Sequence, residues 1–240
     1  MESSSVFVIA PYLAFGLFAT GIVVRFLLGL RRPNHSQELA EAKTTFAGRV
    51  WWASMLLLLA GHLSGLLFPR AVMSWNASQT RLYLLETAAG LVGLAAVLSS
   101  LALILRLIRR PSTSLLTELF ETVFLAFLFV GAVSGVLVAI VHRWGSSWGV
   151  AILTPYAMSL LRGQPAPELA AQMPFLVRLH VLSAFATVAL LPLTRLATFP
   201  VIAMQRCLAL AAAPVRVGVN ALTSWVVRHN PSAWFWPEED

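Results

Sequence analysis

The chain has 240 residues, of which 58% are hydrophobic and 11% charged, and its mean hydropathy is +0.79. A soluble domain carries about a quarter of its residues as Asp, Glu, Lys and Arg, so a water-exposed globule and a disordered chain are both excluded. Cys207 is the single cysteine, which excludes a disulfide scaffold. The net charge of +7 is spread between apolar blocks rather than gathered in one stripe. It reads as a set of topology determinants and not as a nucleic-acid footprint.

Five apolar stretches are long enough to cross a hydrocarbon core, which takes about 20 helical residues. They run approximately from Val6 to Leu30, Val50 to Phe68, Leu82 to Leu105, Leu115 to Val141, and Pro174 to Met204. Alternation of period two is absent, and most stretches far exceed the roughly ten residues of a barrel strand. An all-α, integral membrane five-helix bundle is predicted, with a transmembrane domain over 1–206 and a tail over 207–240. Glu2 and the absence of a basic leading segment make the first stretch a retained helix rather than a cleaved signal peptide.

Loop charges give a direction. The first loop carries Arg31, Arg32, Lys43 and Arg49, and the third carries Arg106, Arg109 and Arg110. Against these seven, the second loop has Arg70 and Arg81 and the fourth has Arg143 and Arg162. The tail adds Arg206, Arg216 and Arg228 to the larger group. Basic loops stay inside, so the N-terminus is expected outside and the C-terminus in the cytoplasm. The expected location is a cell membrane, bacterial or archaeal inner membrane, crossed several times.

The loops hold further signals. Trp144, Trp148 and Tyr156 follow the fourth span, where an aromatic belt or an interfacial helix would sit; interface anchoring alone accounts for them. Glu118 and Glu121, near the inner end of the fourth span, suit a helix N-terminus. The tail ends in Trp234, Phe235 and Trp236 followed by Glu238, Glu239 and Asp240, which suits either a docked partner subunit or a frayed end. A membrane-surface helix from Cys207 to Val227 would precede that end.

Three of the five histidines have ordinary readings. His35 and His229 fall in solvated segments, and His142 closes the fourth span at the outer interface. His62 and His180 lie inside apolar helices, where an ionisable side chain is a functional hypothesis by default. His62 is six positions before the outer end of its outward-running span, on the order of 9 Å below the boundary. His180 is six positions after the start of an inward-running span, so both imidazoles reach one depth in the outer leaflet. Such a pair suits axial ligation of one b haem; a hydrogen-bonded structural pair and a metal or proton site are the alternatives. Gly61 and Gly65 beside His62, and Ala184 one turn below His180, are small enough to let a macrocycle or a helix approach. Arg178, two positions above His180, suits a haem propionate, and zinc lacks the further ligands it would need.

The sequence resembles the gamma subunit of respiratory nitrate reductases, a membrane cytochrome b that oxidises quinol. The resemblance rests on Pro11-Tyr12 and Arg25 in the first span and on Gly61-His62-Leu63-Ser64-Gly65 in the second. Arg178-Leu179-His180 and Arg195-Leu196 in the fifth complete it, and it covers nearly the whole chain. It implies haem ligation at the outer site by His62 and His180. The family carries a second, inner haem, whose ligands fall ten positions before His62 and eighteen after His180; here those positions are Trp52 and Thr198. Neither is a usual iron ligand, so the inner haem is expected to be absent.

A single outer haem leaves most of a roughly 30 Å core without a carrier. Electron exchange is therefore expected with an outward-facing iron–sulfur or cytochrome c subunit. Arg81 aligns with a basic residue that serves quinol binding in the family, and Glu86 lies five positions further on. A carboxylate there is costly to bury charged, so it is expected to face a cavity and exchange a proton, or to pair with Arg81. The combined expectation is a membrane cytochrome b subunit linking quinone to a partner redox subunit, and not a complete enzyme alone. A cofactor-free membrane anchor for a catalytic subunit is the alternative, and a transporter would need broken helices or an internal repeat, neither of which is visible.

Overall fold

In a computed structural model the described residues are 2–29, 45–109, 115–194, 210, 219–225 and 228. They are mostly helical, with short turns between helices and no strand among the described residues. Eight helices are formed among the described residues: α1 Glu2–Gly29, α2 Phe46–Leu67, α3 Pro69–Asn76, α4 Gln79–Arg109, α5 Leu115–Val141, α6 Gly145–Leu161, α7 Pro167–Ala171 and α8 Phe175–Leu190. A 3-10 turn, Leu191–Leu193, ends the series. Five of the helices (α1, α2, α4, α5 and α8) are long and apolar enough to cross a membrane. The protein is a multi-pass membrane protein, as the composition requires.

Local chemistry explains the boundaries that differ from the sequence reading. Helix α2 begins at Phe46, not Val50, because the Thr45 hydroxyl accepts the Gly48 N–H at 3.2 Å and caps the helix. Pro69 sits at the first position of α3 and so separates it from α2 at Phe68. In the fifth span the regular helix stops at Leu190, where Pro192 removes a donor and tightens the chain into the 3-10 turn. The chain forms two compact units, Met1–Ala197 and Thr198–Asp240. The expected domain boundary at 206/207 and the tail aromatics lie outside the described residues, as do Arg195 and Leu196.

Within the first unit the spans pack in the order α1, α8, α5, α4, α2. Small residues allow this closeness: Gly93 of α4 faces Val136 of α5, and a Cβ on Gly21 of α1 would overlap the Pro192 ring. The outward faces of the spans carry exposed leucine, valine and phenylalanine side chains, as a lipid-facing surface requires. Helices α2 and α8 are not among the closely packed pairs, so the series is an arc with a space between its end and α8.

Helix α6 ties the α2 and α4 end of the arc to α1, and a proline explains how. Pro11 lies inside α1 and lacks the N–H that would bond the Phe7 carbonyl. Tyr156 of α6 fills that vacancy, donating its hydroxyl to the Phe7 oxygen at 2.6 Å. In return, Tyr12 donates to the Leu160 carbonyl at 2.9 Å, in the last turn of α6, an oxygen that also accepts the Gly163 N–H at 3.1 Å. Phe7, Tyr156, Leu160, Ala170, Met173 and Val177 form the buried cluster around this clasp. Tyr156 is thus a core residue, 2% exposed, and not part of an interfacial belt.

Burial, with the Tyr12 phenol nearby, pushes the Tyr156 hydroxyl up to about 12 from its ordinary value of 10. The folded state holds this proton more tightly than the unfolded chain does. Its contribution is therefore complete below about pH 10 and is lost as pH rises through about 12. Tyr156→Phe should leave the Phe7 carbonyl without a partner and cost about 1–3 kcal/mol. Thermal unfolding in detergent should show a lower midpoint for the variant; an unchanged midpoint would contradict the clasp.

Candidate functional site

The space between α2 and α8 is bridged by two imidazoles. The ring centroids of His62 and His180 lie 5.9 Å apart, with 28° between the ring planes. A metal bonded to one nitrogen of each ring at roughly 2 Å would hold the centroids about 6 Å apart. The common depth expected from the sequence thus agrees with the closeness of the two rings.

Hydrogen bonds fix what each ring can offer. His62 Nδ1 is 2.6 Å from the Leu58 carbonyl oxygen, and His180 Nδ1 is 2.8 Å from that of Gly131 on α5. A carbonyl can only accept, so each ring carries its hydrogen on Nδ1. The Nε2 lone pair of both rings is left for another partner, as in metal-ligating histidines whose other ring N–H is held by a carbonyl. Among the described residues no group of three or more His, Cys, Asp and Glu could hold an ion, so a two-ligand centre fits better than zinc.

Helix α5 supplies the cradle for His180. A Cβ on Gly135 would come within 2.9 Å of His180 Cε1, and one on Gly131 would come within 3.0 Å of Ser183 Oγ. These two glycines, four positions apart in an apolar span, let α8 approach closely enough for its histidine to reach the α5 backbone. The Gly131/Gly135 spacing was a readable sequence signal for helix packing. Its role as the seat of His180 was not readable, because it depends on which helix lies opposite.

The remaining expected site residues fall into separate groups. The Nε of Arg178, two positions before His180, is buried without a hydrogen-bond partner. Gly65 faces α6: its Cβ direction meets Val150 at 3.1 Å, and its carbonyl accepts the Thr154 hydroxyl at 3.1 Å. Glu86 accepts from Ser146 twice at Oε1, from the backbone N–H at 2.8 Å and the hydroxyl at 2.5 Å. Trp144, the residue before α6, has no capping side chain, so a carboxylate from α4 serves the positive end of that helix. Arg81 instead donates to the Ser74 carbonyl at 3.4 Å and stands 5.3 Å over the Trp75 ring. His142 ends α5 with its ring edge-on to Trp148 at 6.5 Å. Glu121 is half-buried early in α5, and the side chain of Glu118 lies outside the described residues.

At the other end of α2 the contrast is plain. Trp51 is buried and donates to the buried Ser100 hydroxyl at 3.1 Å, with Trp52 edge-on to it at 5.2 Å. Thr198, His35 and His229 lie outside the described residues.

The nitrate reductase gamma subunit family matches residues 3–208. The chain belongs to that family. A search of curated proteins finds no match. Members of the nitrate reductase gamma family are membrane cytochrome b subunits that carry electrons within a respiratory complex, and the five spans of this chain suit that role.

Gly135→Ala should displace the His180 ring, because its neighbour is a ring carbon rather than a flexible chain end. The variant should reach the membrane with lowered haem content. Gly16→Ala, whose Cβ meets nothing within 4 Å, should match wild type. Equal haem content in both variants would mean that α5 does not seat His180.

Proposed function

We propose that the protein is a nitrate reductase gamma-family cytochrome b with one bis-His haem, exchanging electrons between quinone and a partner redox subunit on the outer face. The observation that carries this reading is the His62–His180 pair, with both Nδ1 atoms committed to carbonyls. The residues present fit the group. Two imidazoles are spaced for one metal, Gly135 leaves room beside one of them, and the orphaned Arg178 Nε calls for an anionic acceptor such as a propionate. When bound, the haem would supply one-electron iron chemistry at this depth.

The chain's own residues account for the rest. His62 and His180 would hold the iron, while Leu58 and Gly131 keep their rings in the required tautomer. Arg81, exposed at the start of α4, would hydrogen-bond a quinone oxygen. Quinol oxidation releases protons, and Glu86 has its Oε1 engaged with Ser146, leaving Oε2 to take one. Trp52 at the family's inner-ligand position supports an electron path that stays in the outer leaflet. An exported iron–sulfur or cytochrome c subunit is then the natural partner, and the basic-loop excess supports the orientation this needs.

His62→Ala and His180→Ala should each abolish the b-type spectrum in an otherwise folded protein. Their retention of a sharp reduced α band would favour another site, and a wild-type protein with no such band would favour the cofactor-free anchor.

Glu86→Gln keeps an acceptor for Ser146, so it separates capping from proton exchange. It should keep the haem spectrum and slow haem reduction by a quinol analogue. Wild-type reduction rates across the pH range would make Glu86 only the cap of α6.

A further inference from the structure

The Gly131 carbonyl receives more donors than its two lone pairs accommodate. Ser134 Oγ donates to it at 3.0 Å, and His180 Nδ1 donates to it at 2.8 Å. The ladder of α5 brings the Gly135 N–H to the same oxygen. Ser134 is 1% exposed, so its hydroxyl has no water to turn to. Its oxygen also lies 3.5 Å from His180 Nδ1, the outer limit for a hydrogen bond, so the shared carbonyl is the stronger connection.

We propose that Ser134 is a positioning residue that sets how strongly His180 donates to the haem iron, by competing with it for the Gly131 carbonyl. The inference rests on the bis-His haem reading and adds to it a residue that touches neither iron nor porphyrin. A stronger bond from Nδ1–H to a carbonyl leaves more electron density on Nε2 and favours ferric iron. The Ser134 hydroxyl withdraws part of that carbonyl's acceptor capacity, keeps Nε2 a weaker donor and holds the potential up. His62 differs, since its Nδ1 bonds at 2.6 Å to Leu58 of its own helix. The two ligands are therefore unequal, and α5 adjusts one of them without contributing a ligand.

The test is a potentiometric titration of the reduced α band in the full-length, haem-loaded protein. Ser134→Ala should keep wild-type haem content but lower the midpoint potential. At the wild-type midpoint its oxidised-to-reduced ratio should rise roughly two- to fivefold, the effect of redistributing one ordinary hydrogen bond. Ser134→Thr keeps the hydroxyl and should retain the wild-type potential, while Ser134→Cys, a weaker donor, should fall between. An unchanged or raised potential in haem-replete Ser134→Ala overturns the proposal, as does an equal shift in Ser134→Thr. If Ser134→Ala does not accumulate, the order of Ser134→Thr and Ser134→Cys decides in the same way. A wild-type protein without a b-type spectrum overturns the haem reading itself, and this inference with it.

Discussion

An imidazole inside hydrocarbon has two nitrogens to satisfy and no water to satisfy them. In this protein the first need is met by backbone: Leu58 takes the proton of one ring and Gly131 that of the other. The second need remains at Nε2 on both rings, and the iron of the proposed haem would meet it. The positions of the surrounding elements follow from this requirement. Helices α2 and α8 stand apart where the rings meet, α5 presents glycines to bring its carbonyl within reach, and α6 buttresses α2 through Thr154 and the Gly65 carbonyl.

The same accounting of backbone groups explains how α6 joins the bundle. A proline in α1 orphans the Phe7 carbonyl, and Tyr156 answers it. The uncapped start of α6 is answered by Glu86. Asn76 joins that junction by donating to the Ser146 and Ser147 hydroxyls at 3.1 and 3.0 Å. Helix α6 is consequently tied to α1, α2 and α4 by specific polar contacts, in addition to the apolar cluster around Tyr156 and Leu160. Glu86 has a structural task here whatever else it does: its Oε1 holds the start of α6 through Ser146.

Much of this was legible in the sequence, for identifiable reasons. Span number follows from length and hydropathy, and the meeting of His62 with His180 follows from helical rise and antiparallel direction. What was not legible depended on partners far apart in the chain. Tyr156 looked like an interface aromatic because nothing near it in sequence reveals the Phe7 carbonyl. Gly65 looked like room for a macrocycle, yet its open side faces Val150. Glu86 and Arg81, five positions apart on one helix, invited pairing, but each found partners on other segments. Ser134 attracted no notice, because its meaning comes from the histidine opposite.

The contrast between the two ends of α2 bears on how electrons would travel. At one end an imidazole faces another across a gap; at the other, Trp51 and Ser100 close the α2–α4 interface with a buried hydrogen bond. The haem stoichiometry of the purified protein, measured as pyridine haemochrome against protein concentration, tests this account most directly. One b haem per chain is the predicted result. Two per chain would contradict it, because a second iron would need ligands that Trp52 and Thr198 do not supply.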